Sequence, residues 1–231
     1  MVAIVLAIML PMLAVRATAI AAKASHLNPA ARMAAILAAQ KWNRLKSHFF
    51  CYEKSPLLTH GFASGGTICL ERSQRVRYAI QWPTPAVYLL DGKRLFACRV
   101  GHGWKRIKGA SGAKIAYIMG YFATLGSSPN AKALTRWGRI ALSHRMLPKP
   151  PRRDVHYAPA PTGGVWAFSL IPRLKAMRAK VSKIRLFFDR HSDFLAAIEI
   201  HTRQGAVTYW FSRTAINPVF PLNLFKPVGP P

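Results

Sequence analysis

Between Arg75 and Val100, apolar and polar side chains alternate with the period of a pleated strand. Val76, Tyr78, Ile80 and Trp82 take every second position, and Arg75, Arg77 and Gln81 fall between them. The pattern predicts a strand with one dry face. Pro83 and Pro85 stop the run, Ala86 to Leu90 resumes it, and Asp91-Gly92 is a tight-turn signal into a further strand, Arg94 to Val100. Gly101-His102-Gly103 turns the chain into Trp104 to Ile107. Upstream, Asn28 is a helix cap and Pro29 suits the first helical position. Met33, Ile36, Leu37 and Leu45 then recur on one side, so Pro29 to Lys46 reads as an amphipathic helix, with strands from Ser47 onward.

Downstream, Ala113 to Leu125 is apolar around much of a helical circumference. Asn130 to Leu142 resembles a second short helix capped at Ser128 or Asn130. Pro148 to Pro161 is a connection rich in Pro and Arg. Val165 to Leu170, Lys183 to Asp189, Leu195 to Thr202 and Ala206 to Ser212 then read as meandering strands, with turns at Arg190 to Asp193 and Arg203-Gln204-Gly205. Beyond Asn217, prolines and hydrophobics predict an extended tail along the wall of the sheet.

A chain of 231 residues that is 51% apolar can bury a substantial core, and the length suits a single domain. Its first residues change where that domain is expected to begin. An apolar run from Val2 to Val15, then Ala17-Thr18-Ala19, fits a secretory leader with a small-residue cleavage site, although it lacks a basic flank. The run is interrupted by Pro11 and is short for a membrane span. The expectation is a leader at residues 1–19 and a mature domain at 20–231. Ile20 follows the expected cut, where a lipid-anchored protein would carry Cys.

Charge adds a second strong feature. Against 34 Lys and Arg stand only seven acids, for a net charge of +27. Such a field favours anionic surfaces: phospholipid headgroups, saccharides or nucleic acid. Arg75, Arg77, Tyr78 and Trp82 could serve a nucleic-acid module by stacking bases, but no known nucleic-acid-binding signature accompanies them. Three cysteines, Cys51, Cys69 and Cys98, permit one disulfide in an oxidising compartment. They fit small apolar sheet positions better. No C-x-x-C is present and the histidines show no metal-ligand spacing. Gly61 to Gly65 has the wrong spacing for a nucleophile elbow, and Gly109 to Lys114 lacks the phosphate-loop pattern. Asp91, Asp189 and Asp193 sit in predicted turns, so an enzyme is not the expected reading.

Read together, Gly66, Leu70, Arg72, Val76, Tyr78, Pro83, Asp91-Gly92-Lys93 and Leu95 resemble the opening sheet of the LolA family, periplasmic carriers of lipoproteins. Trp166 to Pro172 (WAFSLIP), Ile184 to Phe188, Ile198 to Ile200 and Asn217 to Pro227 continue the likeness in order. The resemblance implies a mainly β fold with helices (α+β). It would be an incomplete antiparallel barrel whose open side is covered by a lid of short helices over a hydrophobic cavity. It also implies a monomer exported to the periplasm, carrying triacylated lipoproteins from an inner-membrane lipoprotein-releasing ABC transporter to a LolB-like outer-membrane receptor. The transfer is noncovalent and needs no cofactor. Each buried methylene contributes roughly 0.8 kcal/mol, so one long acyl chain could contribute on the order of 10 kcal/mol before entropic costs. A carrier therefore needs a device that weakens its hold.

In the family that device is an arginine bonded to the lid helices, and by position in the motif it falls on Arg72. Candidate cavity residues are Val76, Tyr78, Ile80, Leu89, Phe96, Trp166, Phe168, Leu186, Phe188, Ile198, Ile200, Tyr209 and Phe211. The same alternation would also build an ordinary barrel core. Met119, Tyr121 and Phe122 are the candidate lid contacts. A LolA-like carrier of another amphiphile, such as a glycolipid or an acylated intermediate, is the alternative that the basic charge favours.

Overall fold

The computed structural model describes residues 28–40, 42–54, 56, 60–72, 75–92, 94–108, 135, 138–151, 163–173 and 175–228. The expected leader and the lid residues Met119, Tyr121 and Phe122 lie outside them.

Helix α1 (Pro29–Ala39) leads into β1 (Arg44–Lys54), β2 (Phe62–Glu71), β3 (Arg75–Trp82), β4 (Ala86–Asp91), β5 (Arg94–Arg99) and β6 (His102–Arg106). A second run follows: β7 (Gly138–Ser143), β8 (Val165–Pro172), the single-turn helix α2 (Lys175–Arg178), β9 (Val181–Asp189), β10 (Leu195–Thr202) and β11 (Gly205–Ile216). These strands form one 11-stranded sheet in the order β6-β5-β4-β3-β2-β1-β11-β10-β9-β8-β7. Every pairing is antiparallel. Two meanders are therefore sewn together where β1 meets β11. The outermost strands, β6 and β7, do not pair with each other, so the sheet is an unclosed barrel with a helix against it.

Helix α1 forms as its cap predicts, with Asn28 Oδ1 accepting from the Ala31 backbone N–H at 2.9 Å and Pro29 in the first turn. It ends at Ala39, earlier than the predicted Lys46. The correction has a packing cause. Trp42 tucks into the core, 4% exposed, and from Arg44 onward polar and apolar residues already alternate across β1. Pairing with β2 and β11 satisfies that backbone better than further helical turns. Gly138–Ser143 is likewise a strand on β8, not the end of the predicted Asn130–Leu142 helix.

The sheet has two faces with separate cores. Met33, Ile36, Leu37 and Trp42 fill the inner face against Phe49, Ile68, Val76, Leu90, Phe168, Leu186 and Phe188. On the outer face Phe50, Ala167, Phe187, Ala197 and Trp210 make a second cluster, with Trp82 and Leu147 beside it. Trp82 overturns the one-faced reading of β3. The β2–β3 register shifts between Gly65 and Gly66, pairing Gly65 with Trp82 but Gly66 with Ile80. The extra residue flips Trp82 to the outer face, where its ring lies 5.9 Å from that of Phe50. A side chain at Gly66 would overlap the Ala79 carbonyl, so this signature glycine serves close strand approach.

Candidate functional site

The C-terminal end of α1 is held over the inner face by one residue, Gln40. Its backbone carbonyl accepts from Arg72 Nη2 at 2.7 Å. Its side-chain Nε2 donates to the Asp193 carbonyl at 2.5 Å, and its Oε1 accepts from Trp42 Nε1 at 3.4 Å. Arg72 follows the last residue of β2, and its backbone N–H donates to the Asn43 carbonyl at 3.0 Å. The guanidinium also lies over the Trp42 ring, 5.3 Å from its centroid. Asp193 occupies the β9–β10 turn in the left-handed region, φ 58°. The latch thus joins the helix to one strand end from each meander. The carbonyl that Arg72 reaches belongs to α1; the Ala113 to Leu125 segment lies outside the described residues.

Beneath the latch lies a cavity of about 60 Å³ lined by Leu37, Gln40, Trp42, Leu45, Ser47, Ile68, Leu70, Phe188, Phe194, Leu195, Phe211 and Thr214. A single water needs roughly 10–15 Å³, so the space holds a short group and not a whole acyl chain. Its polar lining comes from Gln40, Ser47 and Thr214. Ser47 Oγ donates to the Ser212 carbonyl at 3.0 Å and lies 3.0 Å from Thr214 Oγ1. Everything else presented to the space is mainly apolar.

Of the predicted cavity residues, only Phe188 and Phe211 line this opening. Val76, Phe168, Leu186 and Ile198 are buried in the inner core around it, with Tyr78, Ile80, Trp166, Ile200 and Tyr209 packed at its margin. Leu89 and Phe96 are corrected. Leu89 pairs with Arg77 and Phe96, while Leu90 pairs with Val76 and Leu95. Period-two geometry therefore sends Leu89 and Phe96 to the outer face. Leu37, Gln40, Leu45, Leu70 and Phe194 were missed. The β1 alternation from Arg44 could have disclosed Leu45, but nothing local marks Gln40 as a hub.

A polar island interrupts the inner face farther along β1. Cys51 bonds with Tyr209 and Ser64, and burial pushes its thiol up to about 12 despite those bonds. Burial likewise pushes the Tyr78 and Tyr209 hydroxyls up, so all three groups stay neutral near pH 7. Tyr78 stacks on Phe49 at 4.5 Å between centroids. Tyr78 is therefore committed inside, while Arg75, Arg77 and Trp82 lie on the outer face. All three cysteines are free and buried, as small apolar sheet residues. Among the described residues no cluster of His, Cys, Asp or Glu could hold a metal ion.

No protein-family model matches the chain, and no curated protein does. Among solved structures it is similar to a DUF1329 family protein from Desulfovibrio piger, at 7% identity and TM-score 0.46, covering 87% of this chain and 98% of that one. It is similar to a LolA superfamily protein from Nitrosomonas europaea, at 9% identity and TM-score 0.37, covering 80% of this chain and 91% of that one. It is also similar to the lipoprotein LppX from Mycobacterium tuberculosis, at 10% identity and TM-score 0.43, covering 80% and 97%.

Proposed function

We propose that the protein is an exported carrier that shields the acyl chains of a lipoprotein on the inner face of its open barrel and moves them between membranes. The observation that carries the reading is the latch. An apolar face is covered by a helix whose C-terminal end is held through side-chain bonds to Gln40. Displacing α1 would open a large apolar surface for acyl chains, and closing it would expel them. Each closure recovers the helix's own burial, which offsets part of the cargo's binding free energy and keeps the hold weak. Arg72 sets that balance from the end of β2. In this reading the cargo arrives from an inner-membrane lipoprotein-releasing ABC transporter and leaves to a LolB-like receptor in the outer membrane. The domain at 20–231 acts as a noncatalytic monomer in the periplasm.

Incubating the mature protein with spheroplasts and assaying soluble triacylated lipoprotein tests the proposal. Wild type should release cargo, and Arg72→Leu should accept it but discharge it to an acceptor more slowly. A folded, lipid-binding protein that releases none would favour a different amphiphile, a reading that the net charge of +27 supports.

A further inference from the structure

We propose that the turn at residues 217–228 is a foothold on an anionic lipid bilayer, with Val219 and Leu222 entering the headgroup boundary. The turn is fixed to the sheet at both of its ends. The Asn217 backbone N–H donates to the Arg44 carbonyl at 2.8 Å, and its Oδ1 accepts from the N–H groups of Asn43 and Arg44 at 2.7 and 3.1 Å. Arg77 Nη1 donates to the Leu224 carbonyl at 3.3 Å. Within the turn, Leu224 N–H donates to the Pro221 carbonyl and Lys226 N–H to the Asn223 carbonyl, each at 3.0 Å. The predicted extended tail therefore does lie on the wall, but as a bonded turn.

Its apolar residues divide into two sets. Phe220, Leu224 and Phe225 are half-buried, with the two rings edge-to-face at 5.6 Å and the Arg44 guanidinium 5.9 Å from Phe220. Val219 and Leu222 are 93% and 96% exposed, with Val228 half-exposed at the end of the turn. The inner set suffices to dock the turn. Two fully exposed aliphatics on an ordered support are not explained by docking, and they suit insertion into an apolar medium.

The surroundings specify that medium. The outer side of β1 to β5 and the turn itself carry Arg44, Lys46, Arg75, Arg77, Arg94 and Lys226. The acids there are Glu71, bonded by Arg44 and Arg75, and Asp91, bonded by Arg94 and 3.5 Å from Arg75. Arg44 and Arg77 reach the turn directly, and on this side of the sheet cations exceed acids, which is the arrangement that an anionic bilayer attracts. Among the described residues no helix is long and apolar enough to cross a membrane, so a foothold of this kind rests on the surface.

The test is flotation of the full chain with vesicles of phosphatidylethanolamine plus phosphatidylglycerol, and with vesicles of phosphatidylcholine alone. Wild type should float with the anionic vesicles only, and less as salt rises. Val219→Ser combined with Leu222→Ser should weaken that binding about ten-fold at unchanged Tm. Leu222→Trp should strengthen it, because an indole suits the interface. Met146→Ser, 83% exposed elsewhere on the surface, should change nothing. Unchanged flotation of the double variant, equal loss in Met146→Ser, or equal binding to both vesicle types would overturn the proposal. A wild-type dimer that the double variant makes monomeric, with flotation intact, would assign the turn to a second copy instead. Cargo release from spheroplasts is read separately, so a carrier lacking a foothold is distinguishable from a foothold without carriage.

Discussion

The two faces of this sheet are sealed in different ways. The inner face is covered by α1, whose C-terminal end is gripped through a backbone carbonyl and one buried glutamine side chain. The outer face of the second meander is sealed by groups that cannot leave singly. Trp210 Nε1 donates to the Pro148 carbonyl at 2.7 Å, holding the segment that contains Leu147 against the aromatic cluster. Nearby, Arg185 Nη1 meets Glu199 Oε2 at 2.5 Å, with His201 Nε2 3.1 Å from the other carboxylate oxygen. The contrast teaches where movement is cheap. An apolar helix face can lift and return as a unit, whereas separating a buried ion pair leaves a desolvated charge.

Substitutions that remove core volume should damage both covers alike and set the upper end of the scale. Phe168→Ala, at a fully buried ring 5.9 Å from that of Phe188, should cost about 3–5 kcal/mol in urea unfolding. Arg185→Met comes next, at about 2 kcal/mol, because the Arg185 side chain is only 8% exposed and its removal leaves Glu199 with His201 as its remaining partner. Its acid dependence is the more specific readout. Burial pushes the Glu199 carboxyl up, but the Arg185 hydrogen bond and the His201 and Arg185 charges outweigh it and hold the group below its ordinary 4.5. The unfolded chain therefore takes up this proton first as pH falls. The pair's stabilisation is full above about pH 4.5 and is lost as pH drops through the lower folded value. Glu199→Gln should remove that part of the acid slope.

Trp210→Phe separates the outer cover's hydrogen bond from its packing. It should cost about 1–2 kcal/mol by stranding the Pro148 carbonyl, with amide exchange rising after Ser143. The smallest global effect belongs to the inner latch. Arg72→Leu should lower stability by about 1 kcal/mol or less, since the arginine is exposed, yet speed amide exchange in α1 selectively. A uniform rise in exchange across the sheet would show that α1 is not a separable cover.

Much of the architecture was legible because period-two alternation and turn residues are local signals. The Asn28 cap, the Asp91-Gly92 turn, strands β8 to β11 and the Arg203-Gln204-Gly205 turn stand close to where the sequence puts them, whereas β7 does not. Alternation also identifies most of the inner face, from Val76 to Phe211. It fails at Leu89 and Phe96 because it says that neighbours differ in face without saying which face is inner. It fails at Trp82 because a bulge at Gly65 and Gly66 exchanges the faces mid-strand.

Composition and local pattern by themselves determined that the chain is strand-rich, strongly basic and able to bury a core. The family resemblance, not the pattern alone, marked Arg72 as worth following. Only the tertiary structure decided that β1 and β11 join the two meanders, that α1 ends at Ala39, and that Gln40 receives Arg72 while reaching Asp193. The physical reason is range. A cap or a turn is fixed by residues three or four apart, whereas the Gln40 contacts span 32 and 153 positions and exist only once both meanders have closed around the same helix.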